Sequence, residues 1–205
     1  LLVYKEIARE IAVPGQHRRG IEALLKACHE RMKSQFDDSE MANEYIKSWI
    51  EGLDDVDFEH DTFRRVLFRT LKGMINGEVD VVDAGCQWLS GEILDKSVAK
   101  TLGVSTIATD QHNIFGRRAM FSLAQFIKAA GFPGTVVGFD EAEQTADVPP
   151  KQRQRILSMA RSEIDAVTKV KGASLFIVYA FTPGIVQEMM NYPALQQRLA
   201  EPDPS

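Results

Sequence analysis

Apolar residues follow two different patterns along the chain. In the N-terminal part they recur every three or four positions between polar residues, which predicts amphipathic helices. Residues 115–130 are typical, because Leu123, Phe126 and Ile127 fall on one face and Gly131 follows as a C-cap. Further along, the segments GTVVGF and ASLFIVYAF are short and apolar without alternation, which is typical of strands buried on both faces of a parallel sheet.

The order of these elements indicates the fold class. The predicted helices lie at residues 1–13, 21–36, 41–53, 61–75, 81–91, 97–104, 115–130, 151–170 and 183–190, with a last short one from Pro193. The helix at residues 151–170 separates the two strands, which implies a right-handed parallel crossover. The sequence therefore predicts an α/β fold, with a mostly helical part at residues 1–112 and a parallel α/β core at residues 113–205.

Composition narrows the functional classes without selecting one. The 205 residues are 44% hydrophobic and 26% charged, and the net charge of -5 gives no global electrostatic reason for nucleic acid binding. No apolar run approaches the roughly 18 residues that cross a membrane, and no signal peptide is visible. Cys28 and Cys86 lie far apart without CxxC spacing, which is typical of reduced thiols. We therefore expect a cytoplasmic protein without a membrane partner.

Two adjacent carboxylates, Asp140 and Glu141, directly follow the first predicted strand. Buried or partly buried acids need water or a cation nearby, and ligands of parallel sheets bind beyond the carboxyl ends of the strands. This pattern matches the Walker B arrangement of P-loop ATPases, in which the Asp holds Mg²⁺ on the nucleotide and the Glu polarises the attacking water. The alternative is that Asp140 caps the following turn and Glu141 is solvated.

The second strand ends next to Thr182, which is the leading candidate for the polar residue called sensor 1, with Tyr179 second. Sensor 1 contacts the γ-phosphate or the attacking water. The alternative is that Thr182 is only the N-cap of a helix starting at Pro183.

The phosphate-binding Walker A motif, GxxxxGK[ST], is absent from the sequence. The nearest match, residues 15–20, lacks the Lys-Ser/Thr pair and follows a predicted helix. The chain begins at Leu1 without methionine and ends in linker-like composition at Ser205, so we expect a fragment of a longer protein. This fragment should by itself bind ATP negligibly and should not turn it over.

Several segments in a fixed order resemble the ATP-binding proteins of bacteriophage-exclusion (BREX) defence systems, a branch of the AAA+-like P-loop ATPases. They are LVYKEIAREI, CQWLSGE, FSLAQFIKAAGFPG, TVVGFDEAEQ, SLFIVYAFTPGIVQEM and PALQQRLAEP. The resemblance spans essentially the whole chain. It implies a partial P-loop NTPase domain, with Walker A upstream of Leu1 and the arginine finger and sensor 2 after Ser205.

Site residues and partners follow from the same resemblance. It implies that Asp140 is the Mg²⁺ ligand, Glu141 the catalytic carboxylate and Thr182 or a neighbour the sensor 1 residue, with ATP and Mg²⁺ as cofactors of the parent protein. The implied partners are other defence-system proteins or further copies of the protein, and DNA is left open. Two rival functions remain: a non-catalytic interaction scaffold with a P-loop-like fold, and a STAND-type regulatory switch ATPase.

Overall fold

The apolar periodicity of the N-terminal part forms a set of packed helices. The computed structural model of the chain describes residues 1–93, 95–140, 158, 161–180 and 191–199. The helices of the first part are α1 (Leu2–Glu10), α2 (Ile21–Lys33), α3 (Ser39–Gly52), α4 (Asp61–Asn76), α5 (Val79–Leu89), α6 (Lys96–Leu102) and α7 (His112–Ala129). Among the described residues, no helix is long and apolar enough to cross a membrane.

Short polar residues and glycines fix the helix ends. The side chain of Asp38 accepts hydrogen bonds from the backbone N–H groups of Glu40 and Met41 and so caps the N-terminus of α3. Gly77 ends α4 in the left-handed conformation with φ 73°, as the Asn-Gly pair predicts. Helix α7 begins at His112, three residues before the predicted start at Phe115.

Aromatic side chains form the centre of the helical core. The ring of Phe115 lies edge-on to Tyr4 at 6.1 Å and to Trp88 at 5.3 Å between ring centroids. The buried Tyr4 hydroxyl donates to the carbonyl of Leu89, and burial raises the pKa of Tyr4. These contacts join α1, α5 and α7, so the three helices have a common packing centre.

Buried polar side chains of α7 hold the segment that precedes α4. The amide of Gln125 donates to the carbonyl of Asp57 at 2.8 Å and accepts from the backbone N–H of Glu59 at 2.9 Å. The hydroxyl of Ser122 accepts from the backbone N–H of His60 at 3.0 Å. Gln125 and Ser122 are both fully buried, so the backbone groups of this segment are satisfied by side chains instead of water.

Replacing Gln125 by leucine should lower the free energy of unfolding by about 2 kcal/mol, because the Asp57 carbonyl and the Glu59 N–H lose their partner away from water. The melting temperature should fall by roughly 4–8 °C for a chain of this size. The matched control is Gln87→Leu at an exposed position of α5, which should change stability by less than about 0.5 kcal/mol. Equal effects at the two positions, measured by urea and thermal denaturation, would contradict this role of Gln125.

The second part contains a small parallel sheet. Strand β1 (Thr135–Phe139) pairs in parallel with β2 (Leu175–Tyr179), with Thr135 opposite Leu175 and Phe139 opposite Tyr179. The prediction of adjacent parallel strands is confirmed. Residues 161–167 are helical, within the predicted crossover helix, and a last helix at Pro193–Leu199 is also as predicted, whereas the predicted helix at 183–190 lies outside the described residues.

One face of the sheet is exposed. Val136 lies opposite Phe176 and Gly138 opposite Val178. The side chains of Val136, Phe176 and Val178 are 72%, 65% and 44% exposed, and a Cβ added to Gly138 would meet no described atom within 4 Å. The prediction of strands buried on both faces is therefore wrong for this face, because an apolar run indicates suitability for burial and not the presence of a covering layer.

The described residues form a helix-rich protein with a two-stranded parallel sheet, which agrees with the α/β class. The chain divides into two compact units, Leu1–Pro133 and Gly134–Ser205. The sequence places the division after residue 112. Helix α7 belongs to the first unit because most of its length is buried against the other helices there.

Candidate functional site

Asp140 lies immediately after the C-terminal end of β1 and is exposed. The backbone N–H of Ala180 donates to the carbonyl of Phe139 at 2.9 Å, so strand pairing continues to the residue before Asp140. Both strands are parallel, so their carboxyl ends lie at the same edge of the sheet. Asp140 therefore occupies the edge at which ligands of open parallel sheets bind.

A close backbone contact where the two strands begin fixes their register, and the register determines the position of Asp140 relative to β2. The backbone N–H of Thr135 donates to the carbonyl of Ser174 at 2.7 Å. A Cβ added to Gly134 would lie 2.7 Å from that carbonyl oxygen and 2.9 Å from the Cβ of Ser174. Only glycine allows the two chains to approach so closely here, and the sequence alone gave no signal for this requirement.

Two aromatic side chains stack on each other at the strand ends next to Asp140. The rings of Phe139 and Tyr179 are stacked, with centroids 4.9 Å apart and planes inclined by 15°. Burial raises the pKa of Tyr179, and the carboxylate of Glu163 raises it further, so the phenol stays neutral at physiological pH. Side chains alternate along a strand, so this pair shares the face opposite to that of Val136.

The structure places only part of the predicted site. Asp140 is described, whereas Glu141 and Thr182 lie outside the described residues, and their roles stay predictions. Tyr179, the second sensor 1 candidate, contacts Phe139 in the sheet edge. Across the described ranges, no group of three or more His, Cys, Asp or Glu side chains is close enough to hold a metal ion.

One carboxylate is nevertheless compatible with a magnesium–nucleotide complex. Mg²⁺ commonly binds through one or two carboxylates together with water and substrate phosphates. The exposed carboxylate of Asp140 at the ligand-binding edge of the sheet meets that requirement. Asp140 therefore fits one ligand position of such a complex.

Side chains of α2 and α3 hold the end of α7 and the turn that follows it. The indole N–H of Trp49 donates to the carbonyl of Ala129 at 3.2 Å, and the guanidinium of Arg31 donates to the carbonyl of Gly131 at 3.1 Å. Arg31 also lies over the ring of Phe132, 5.2 Å from its centroid. The α3 side chain thus satisfies the last carbonyl of α7, which a helix end otherwise leaves unpaired, and the α2 side chain binds the turn that follows.

Comparison with known proteins identifies the family of the chain. The family model described as BREX system ATP-binding protein BrxC/D matches residues 2–203, which confirms the resemblance noted in the sequence. No curated protein and no solved structure gives a significant match to the chain.

Proposed function

The chain belongs to the family of BREX system ATP-binding proteins BrxC/D, and we propose that the carboxyl edge of its parallel sheet is the metal–phosphate end of the ATP site. The observation that supports this proposal is the position of Asp140, directly after β1 and beside the end of β2 in a parallel register. In this proposal the carboxylate of Asp140 holds the Mg²⁺ ion of the bound nucleotide.

The same proposal assigns catalytic roles to Glu141 and Thr182. Glu141, adjacent to Asp140, accepts a proton from the attacking water as a general base. The hydroxyl of Thr182, beyond the end of β2, donates a hydrogen bond to the γ-phosphate or to that water. ATP supplies the phosphoanhydride bond whose hydrolysis drives conformational change in the phage-defence assembly, and the partners are other defence proteins or further copies of the protein.

Binding of the β- and γ-phosphates of ATP requires a further structural element, a phosphate-binding loop. Backbone N–H groups and a lysine of a P-loop normally surround the β- and γ-phosphates, and no GxxxxGK[ST] occurs in these 205 residues. The proposal therefore requires a phosphate-binding loop from outside this sequence. A parallel sheet of the AAA+-like P-loop class is the arrangement in which such a loop and Asp140 would meet the same nucleotide.

A non-catalytic scaffold is the second candidate, and the exposed sheet face favours it. Val136, Phe176 and Val178 present apolar surface that a partner could cover. A scaffold of this kind would bind its partner without a nucleotide. Binding of Mg-ATP by the full-length protein therefore separates the two candidates.

Replacing Asp140 by asparagine should weaken Mg-ATP binding by the full-length protein at least about tenfold, because the amide loses the charge that holds the metal. Binding of ATP in the presence of EDTA should be unchanged. Isothermal titration calorimetry with and without Mg²⁺ measures both quantities. The matched control is Asp37→Asn, at an exposed position before α3, which should leave both affinities unchanged.

Two results would contradict the proposal. Equal Mg-ATP affinity in the Asp140→Asn variant and in the wild-type protein would remove Asp140 from the metal site. Absence of Mg-dependent binding in the wild-type full-length protein would instead support the scaffold.

A further inference from the structure

His60 connects two helices of the first unit through three contacts. Its Nδ1 atom accepts a hydrogen bond from the backbone N–H of Phe63 at 3.2 Å and so caps the N-terminus of α4. Its own backbone N–H donates to the hydroxyl of Ser122 on α7. Its ring lies edge-on to Phe115 of α7, with centroids 5.0 Å apart. The side chain is therefore fixed between α4 and α7.

The cap exists only while the ring is neutral. A neutral imidazole has one nitrogen that accepts and one that donates, whereas both nitrogens of the protonated ring are donors. Protonation would thus remove the acceptor of the Phe63 N–H. It would also place a positive charge at the N-terminus of α4, where the helix dipole is unfavourable to cations.

Charged groups around the ring act mainly against protonation. Burial lowers the pKa of His60 most, and the guanidinium of Arg118 on α7 lowers it further. On α4 the carboxylate of Asp61 acts in the opposite direction and Arg65 in the same direction as Arg118. Asp61 is itself paired with Arg65, with 3.1 Å between Nε and Oδ2, so its charge is shared.

We propose that His60 is a pH-sensitive latch, which holds residues 57–60 against α7 while its ring is neutral and releases them when the ring is protonated. The released segment contains Asp57 and Glu59. Glu59 and the Asp57 carbonyl are bonded to Gln125 of α7, so loosening at His60 acts on a continuous set of hydrogen bonds.

The direction of the pH dependence follows from proton binding. In the unfolded chain His60 binds a proton near its ordinary pKa of about 6.5, and in the folded chain it does so only at lower pH. The unfolded state therefore binds more protons in this interval, and the latch weakens as pH falls below about 6.5. Ordinary carboxylates titrate near pH 4, so the interval between pH 5 and 6.5 reports on histidine.

Hydrogen exchange of the Phe63 amide, corrected for the intrinsic rate at each pH, tests the latch in the 205-residue chain. Protection should fall about five- to tenfold between pH 7 and pH 5, the loss expected for an N-cap. In His60→Asn it should fall less than about twofold, because asparagine caps a helix at either pH. Far-UV circular dichroism establishes that the variant is folded.

A second histidine provides the control. Burial also lowers the pKa of His29 on α2, so His29→Gln removes a comparable titration from another helix. This variant should retain the full loss of protection at Phe63. An equal loss in His60→Asn and in the wild-type chain, or constant protection in the wild-type chain between pH 7 and 5, would overturn the proposal.

Discussion

Replacing Glu141 by glutamine in the full-length protein should lower steady-state ATP turnover by roughly 10²–10⁴-fold, the usual effect of losing a general base. Glutamine keeps the shape of the side chain and leaves Asp140 intact, so Mg-ATP binding should survive. Asp140→Asn should differ, because it weakens the metal site and lowers affinity as well as turnover. Turnover measured beside nucleotide binding for both variants distinguishes the two roles.

The matched control for Glu141 is Glu143→Gln, the same chemical change two residues later in the segment DEAE. A catalytic role is specific to one position, so this control should retain nearly normal turnover. If Glu141 is a solvated residue, both variants should behave alike and close to the wild-type protein. That outcome would remove Glu141 from the mechanism and leave Asp140 without its catalytic neighbour.

Helix positions were predictable from sequence where a local signal marks the end. Asp38 and Gly77 act through hydrogen bonds and backbone conformation within a few residues, so their effect depends little on the remaining fold. The start of α7 at His112 was missed because no capping side chain marks it. This first turn is largely exposed, with Ile114 56% exposed, and it directly follows a 3₁₀ turn at Thr109–Gln111.

The parallel pairing of the two strands was predictable from the sequence, whereas the exposure of one sheet face was not. The helical segment between GTVVGF and ASLFIVYAF requires a crossover connection, and crossover strands in one sheet are parallel. The exposure of Val136 and Phe176 was not predictable, because apolar character indicates only which surfaces could be buried. The position of Asp140 directly after β1 was predictable because a strand end is marked locally in the sequence.

Specific tertiary contacts between residues far apart in the chain gave no signal in the sequence. The stacking of Phe139 on Tyr179 depends on strand register, and the bonds of Gln125 depend on how α7 meets a segment more than 60 positions earlier. Neither follows from periodicity, which identifies a buried face without naming its partners. The contact between Gly85 and Thr70 is of the same kind, and it allows a sharp test.

Replacing Gly85 by alanine should lower the free energy of unfolding by about 3 kcal/mol, at the upper end of the usual cost of overpacking a core. A Cβ at Gly85 of α5 would lie 1.9 Å from Oγ1, 2.7 Å from Cγ2 and 2.8 Å from Cβ of Thr70 on α4. Thr70 is fully buried and its hydroxyl donates to the carbonyl of Val66 at 2.7 Å, so it cannot move aside cheaply. The melting temperature should fall by roughly 6–12 °C.

Two further variants separate this clash from the general effect of adding a methyl group. Gly52→Ala, at an exposed helical position with no atom within 4 Å of the new Cβ, should be neutral or stabilise by up to about 1 kcal/mol. Adding Thr70→Ala to Gly85→Ala removes the two nearest atoms and should restore part of the lost stability, although Thr70→Ala alone should destabilise the chain. Additive losses in the double variant would show that α4 and α5 do not approach through these two residues, because only a shared contact produces a favourable coupling energy.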